Sequence, residues 1–345
     1  MIYIIIMIVA TTITIPVRFK NRKQEKISKI FLFLSFIIAY FFMAVRYNIG
    51  TDYSYIYVPY FYGIGNGTMA FPEEGFNLLN KVIYILTGDY RILFAITSLI
   101  FIGLIYLAIK ENSTNITISV LMIFLGQSYF YSMNMVRQAI ATAIIFYAYK
   151  YIKKKQFVKY LLASLLAFTI HNTSIVMIPT YFIANLNMTR KTKVITALGI
   201  IAIASSLGRV IQNVLINTKY YMYYDVYGTG NITTLLLITN ILIFILSLYY
   251  HSKDDKEYNI LSNINFMGFC MIIIGAYIPL VDRIVRYFTI FQILLVPKIL
   301  EKEQNQKIRI TLKLILFGVL FAIMYYQIIL LKGEAVYPYQ WIFKI

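Results

Sequence analysis

Apolar runs of membrane-spanning length, or close to it, fall at roughly 2–17, 30–45, 90–109, 116–133, 136–152, 157–170, 172–187, 194–210, 232–250, 260–280, 284–299 and 310–331. About 20 apolar residues cross a bilayer as a helix. The pattern therefore predicts an all-α integral membrane protein of about twelve transmembrane helices, with residues 1–345 forming a single polytopic domain. The opening stretch, Ile2 to Val17, lacks a basic leader and a small-residue cleavage site, so it reads as a first span. Two connections are long, at about 46–89 and 211–231. Pro59, Gly63, Gly65, Gly67 and Pro72 break up the first, after which 75–87 reads as an amphipathic helix at the membrane interface. The second carries five tyrosines within 220–227, which fit an aromatic belt better than a sugar-stacking platform.

The basic residues orient this pattern. Assigning alternate connections to opposite sides puts 22 of the 32 Lys and Arg residues on one side and 10 on the other. Positive connections stay in the cytoplasm, so the first side is cytoplasmic and both termini lie outside. Basic clusters at 153–155 and 190–193 then require an even number of crossings between them, which makes the stretch 156–189 a hairpin with His171-Asn172 at its apex. Its two arms are short for a bilayer, so the apex is expected to be sunk in protein or in a water-filled cavity. The same argument applies to 113–152, whose apex carries Asn134 and Arg137.

Composition removes several function classes. With 60% hydrophobic and 13% charged residues, the chain has no soluble core to build. The net charge of +18 is spread over short connections, so nucleic acid is not an expected partner. Cys270 is alone in an apolar run and reads as a small hydrophobe, which rules out a disulfide framework. There is no G-x-x-x-x-G-K-[ST] loop and no zinc-binding spacing, and Asp254-Asp255 is not a D-x-D site. No metal and no cofactor are expected. A nucleotide-sugar donor does not fit, whereas a donor carried on a lipid does.

The reactive residue types collect on the less basic side. Arg137 stands between two apolar runs and begins a helix, and a charge at that depth costs several kcal/mol unless it has a partner or a task, so a functional role is favoured. Arg283 and Arg286 are spaced i, i+3 and share a helix face. Two guanidinium forks there suit a diphosphate, and equally an interfacial pair reaching headgroups or neutralised by Asp282. His171 reads either as a general base or as a hydrogen-bonded structural residue. Asp52 reads as a turn carboxylate, or as a partner for an arginine or a sugar hydroxyl. Arg46 lies on the same side, and Glu73 and Glu74 could form a carboxylate site but read rather as solvated loop residues.

The segments 46-RYNIGTDYSYIY-57, 73-EEGFNLLNKVIY-84, 134-NMVRQAIATAIIFYAYKYIKKKQFVKYLLASLLAFTIHNTSIVMIP-179 and 282-DRIVRYF-288 resemble the EpsG/Wzy-type polysaccharide polymerases of bacterial capsules, exopolysaccharides and O-antigens. The most distinctive piece is N-x-x-R-Q followed by a histidine about thirty-five residues on. The resemblance implies a GT-C-like glycosyltransferase on the outer face of the cytoplasmic (inner) membrane. Such an enzyme joins oligosaccharide repeat units carried on undecaprenyl diphosphate, with a flippase and a chain-length regulator as expected partners. It also implies that Arg137 binds the diphosphate with help from Arg283 and Arg286, that His171 acts on the acceptor hydroxyl, and that Arg46 and Asp52 shape the pocket. The residue after His171 is Asn172, where a small residue is more usual. A flippase of the same lipid-linked glycan and a membrane-bound acyltransferase are the rival readings. No matched pair of broken helices and no inverted repeat supports the flippase.

Overall fold

The computed structural model describes residues 2–17, 22–216, 234–252, 254–278 and 281–344. The tyrosine run 220–227, and with it most of the expected outer segment 211–231, lies outside the described residues. The described residues form helices α1 (Ile2–Ile13), α2 (Arg22–Ala44), α3 (Val58–Gly65), α4 (Glu74–Thr87), α5 (Tyr90–Asn112), α6 (Ile116–Leu125), α7 (Ser128–Asn134), α8 (Val136–Tyr147), α9 (Tyr149–Lys153), α10 (Phe157–Ile170), α11 (Thr180–Ala184), α12 (Arg190–Leu215), α13 (Thr234–Tyr249), α14 (Lys256–Gly275), α15 (Val281–Thr289), α16 (Gln292–Lys302) and α17 (Gln306–Met324). They carry no named strand, and their β-type pairing is an isolated antiparallel bridge between Arg46 and Trp341.

Among the described residues four helices are long and apolar enough to cross a membrane: Glu25–Ala44, Tyr90–Asn112, Lys256–Gly275 and Gln306–Leu330. The number rises to six if each of two bent helix pairs is one span, and shorter apolar helices accompany them. The expected number was about twelve; of the remaining runs, some are unbroken but shorter helices, such as Ile2–Ile13, Phe157–Ile170 and Leu235–Tyr249, and others are broken in ways that the apolar pattern does not show. Run 116–133 bends by 48° between α6 and α7. There Gly126 ends one helix and Gln127 takes a left-handed φ of 62°. Run 136–152 divides at Ala148, and run 284–299 divides between α15 and α16.

The chain packs as two compact units, residues 1–175 with 310–345, and residues 176–309. In the first, α1 and α2 pack together and α2 packs on α5. Ser35 fastens all three, donating to the Ala10 carbonyl at 2.7 Å and pairing with the Tyr106 hydroxyl at 2.8 Å. The two apices are built from broken helices. Every residue of α7 is buried, and Met135 separates it from α8 with non-helical dihedrals (φ −91°, ψ 61°). After α10, His171 is extended (φ −155°, ψ 114°) and a 3₁₀ turn follows at Asn172–Met177. Irregular backbone of this kind survives at membrane depth where it is enclosed by protein.

The loop after α2 is held from two directions. Tyr47 N–H donates to the Gln340 carbonyl and Ile342 N–H to the Val45 carbonyl, each at 3.0 Å, on either side of the Arg46–Trp341 bridge. Gly50, at φ +92°, donates its N–H to the Ala335 carbonyl, and an added Cβ there would lie 3.0 Å from Asn134 Cα. Only glycine accepts both demands. Asn134 in turn accepts from Thr51 Oγ1 at 3.0 Å and from Asp52 N–H at 3.1 Å, and donates to Glu334 Oε2 at 3.1 Å.

The second unit is arranged on α14, which packs against α11, α12, α13, α15 and α16. Its interior is tied by amides. Asn263 donates to the carbonyls of Ala184 (3.1 Å) and Leu186 (2.8 Å), satisfying the end of α11, and Gln292 donates to Asn240 (2.7 Å) and Asn265 (2.9 Å). Lys193 is buried and its Nζ donates to Ser262 Oγ at 2.7 Å.

Gly50→Ala places a Cβ in strained backbone against Asn134, at a cost of about 1–2 kcal/mol. The variant is expected to melt several degrees below the parent in detergent. Trp341, the single tryptophan, reports the change through a red-shifted emission as its strand partner loosens. Unchanged melting and emission would show that this contact does not hold the loop.

Candidate functional site

The first turn of α8 is where the site begins. Met135 breaks the chain, Val136 starts the helix, and Arg137 follows at its positive end, an unfavourable place for a cation. A buried carboxylate compensates it. Glu73 stands immediately before α4 in an extended conformation, and its side chain does not cap that helix. It turns across the unit instead, where it is 4% exposed. Glu73 Oε2 takes the Arg137 guanidinium at 2.5 Å. Its other oxygen, Oε1, accepts from the Asn172 backbone N–H at 3.4 Å and faces His171 Nδ1 at 3.2 Å. That last contact is at ion-pair distance, bent away from the line of a straight hydrogen bond. One carboxylate thus joins residues 64 and 98 positions further along the chain.

The cluster is set by its surroundings. Arg137 stacks on Phe71, with Cζ 4.3 Å from the ring centroid, and its backbone N–H donates to the Tyr57 hydroxyl at 3.4 Å. Phe71 is clamped by Asn77, whose side chain accepts from the Phe71 N–H and donates to the Phe71 carbonyl, both at 2.8 Å. Beneath them Tyr53, Tyr57, Ile64, Phe71, Phe76, Phe94, Val136, Ile140 and Ile170 form one apolar core. Gly75 lets α4 meet the end of α10 closely, since a Cβ there would fall 2.5 Å from Thr169 Oγ1 and 2.8 Å from the Thr169 carbonyl.

The electrostatics follow from this packing. Burial opposes ionisation of Glu73, but the His171 imidazole, the Arg137 guanidinium and the Asn172 N–H outweigh it and bring the carboxyl down to about 2. The site therefore holds a fixed carboxylate near neutral pH. Arg137 remains 21% exposed and His171 14% exposed, so both reach the surface of the unit. With Nδ1 turned to Glu73, Nε2 is the ring nitrogen that can meet a substrate hydroxyl. The arrangement can polarise a hydroxyl through His171 and receive a phosphate oxygen at Arg137. Among the described residues no group of three or more His, Cys, Asp or Glu side chains could hold a metal ion.

The structure brings together two of the residues expected from sequence, Arg137 and His171. The solvated role expected for Glu73 is overturned, because it is buried and bridges them. A cue lay in its position at the head of an amphipathic helix, in a glutamate pair followed by a glycine. Arg46 is 2% exposed and enclosed, donating to the Met43 carbonyl at 2.5 Å and to Ser98 Oγ at 2.8 Å, with Phe94 4.8 Å away. Phe94 stacks on Tyr53 at 4.2 Å, so Arg46 reaches the site through the aromatic core. Asp52 is half-buried, its backbone fastened to Asn134. Arg283 and Arg286 lie in the second unit on the half-buried face of α15, opposite the buried Val281, Val285 and Phe288.

A model of the EpsG family matches residues 29–341, nearly the whole chain. No curated protein and no solved structure matches it.

The low Glu73 pKa links stability to pH. A carboxyl lowered on folding contributes stability above its unfolded value, near 4.5, and loses it as pH falls towards 2. The shift corresponds to about 3 kcal/mol. Glu73→Gln is therefore expected to flatten the melting-temperature profile between those limits while lowering its plateau. A profile that keeps the parent's slope in the variant would assign the acid limb to other carboxylates.

Proposed function

Because the chain belongs to the EpsG family, whose model spans residues 29–341, we propose that it is a membrane-embedded polysaccharide polymerase of glycosyltransferase type. In this reading it joins oligosaccharide repeat units carried on undecaprenyl diphosphate, at the outer face of the cytoplasmic membrane. The observation that carries it is the buried Glu73 carboxylate held between the Arg137 guanidinium and the His171 imidazole. The GT-C-like bundle of about twelve spans, with both termini outside, is part of the same proposal and follows from the distribution of lysine and arginine.

The chemistry can be written residue by residue. Glu73 orients His171, whose Nε2 accepts the proton of the acceptor sugar hydroxyl. That oxygen attacks the anomeric carbon of the donor glycan. The bond from this carbon to the diphosphate oxygen breaks, and the electron pair leaves with the diphosphate. Arg137 meets the developing charge with its guanidinium fork, a role electrostatic stabilisation fills without proton transfer. Arg283 and Arg286 are further phosphate-binding cations in this scheme. Arg46 and Asp52 shape the pocket from outside the reacting groups, Arg46 through Phe94 and Asp52 through Asn134.

The reading is tested by the state of the lipid-linked glycan on each leaflet in a strain lacking the protein. Single repeat units accumulating on the outer leaflet, with no chains, support a polymerase acting after transport. Units trapped on the inner leaflet would identify a flippase instead. Arg137→Ala and His171→Ala are expected to lower polymer by at least about a hundredfold with protein still in the membrane, and Arg137→Lys to restore little because the fork is lost. Normal polymer from Arg137→Ala would remove the central assignment. Gly75→Ala, which touches no substrate, is expected to lower polymer by moving Glu73 off His171. Full activity in that variant would show that the α4–α10 approach is not needed.

A further inference from the structure

A cavity of about 580 Å³ lies along α8 in the first unit, between α4, α5 and α10. Its walls are carbon, with Leu79, Val82, Leu104, Ile140, Ile144 and Leu166 prominent among them. One end stops at Gly75 and Ile170, beneath the Glu73 cluster, and the other opens past Tyr147 and Ala148 to Tyr151. Tyr151 also lines a second cavity, of about 540 Å³, whose charged walls are Lys150, Lys153, Lys154, Lys159 and Glu111. Glu111 is engaged there, with Lys150 Nζ at 3.4 Å and the Tyr147 hydroxyl donating to it at 3.4 Å. Four lysines against one carboxylate leave the second cavity strongly cationic.

The two cavities share a wall and differ in chemistry end to end, apolar and then basic. From Ile140 to Tyr151 the helical rise is about 16 Å, roughly half of a hydrocarbon core about 30 Å thick. That is the reach of an acyl chain confined to one leaflet. At the far end one cation, Arg137, stands with one carboxylate, Glu73, against four lysines with one carboxylate at the near end, so the charge asymmetry puts this chain's anionic headgroup at the lysines. We propose that the paired cavities bind one anionic phospholipid, its phosphate among Lys150, Lys153, Lys154 and Lys159 and one acyl chain along Ile140 and Ile144. The site is separate from the Glu73 cluster and does not depend on the polymerase reading. A chain seated there would fill the space between α4, α8 and α10, the three helices that set Glu73, Arg137 and His171 in register.

The test uses the full-length chain in nanodiscs of phosphatidylcholine with a minor fraction of phosphatidylglycerol, reading retained lipid by native mass spectrometry. Phosphatidylglycerol is expected to be enriched over its bulk fraction. Each of Lys154→Gln and Lys159→Gln should lower its retention about fivefold, the usual worth of one lysine near an anionic lipid. Ile144→Trp, which fills the apolar cavity, should displace the lipid with all lysines intact, and if it fails to insert the lysine variants decide alone. No enrichment, or enrichment indifferent to both lysine changes, overturns the proposal. So does a retained polyprenyl diphosphate that is released by Arg137→Ala, since that would give the apolar cavity to a substrate tail.

Discussion

A single buried carboxylate holds the first unit to its purpose. Glu73 is withdrawn from solvent and answers two basic side chains and one backbone N–H, so its ionised form is stabilised by geometry that the rest of the unit must maintain. Breaking such a pair strands a charge in a medium of low polarity, a loss of about 3–5 kcal/mol. The unit supplies what this contact requires. A helix break places Arg137 at the start of α8, a second break extends the chain at His171, and the glycine after the glutamate pair lets α4 come near enough to α10. Remove any of these and the three side chains lose their common centre.

The aromatic core beneath is the mechanical part of the same arrangement. Phe71 is gripped by Asn77 and lies flat under the guanidinium, while Tyr57 takes the backbone N–H of Arg137. Arg46 belongs to this support. Its charge is spent on a carbonyl, a serine and the face of Phe94, so it anchors the end of α2 to α5. Two arginines of similar sequence context thus serve different ends, and burial distinguishes them. The second unit solves its own interior differently, with neutral amides meeting amides and carbonyls around α14.

Much of this was legible in the order of residues. The apolar pattern gives 157–170 where α10 runs Phe157–Ile170, and 75–87 where α4 runs Glu74–Thr87. Arg137 was readable because a charge between two apolar runs demands an account, and His171 because two basic clusters require a turn between them. Glu73 was not, because its meaning depends on partners far along the chain, and adjacent glutamates in a loop are ordinarily hydrated. The breaks were hidden for a related reason. Gln127 adopts a left-handed backbone that its residue type does not announce, and apolar runs stay apolar through such a bend.

The pairing of the loop after α2 with residues 335–342 also bears on how the protein is made. Gly50, Tyr47 and Val45 find their backbone partners nearly three hundred positions later. During synthesis the early helices can insert and pack, and Thr51 and Asp52 can meet Asn134, yet Val45, Tyr47 and Gly50 lack their backbone partners until the late segment has been translated and folded back. Assembly on that side of the molecule is therefore a closing step. A nascent chain interrupted before residue 335 would be a membrane protein with its helices formed and the loop after α2 left without these backbone partners.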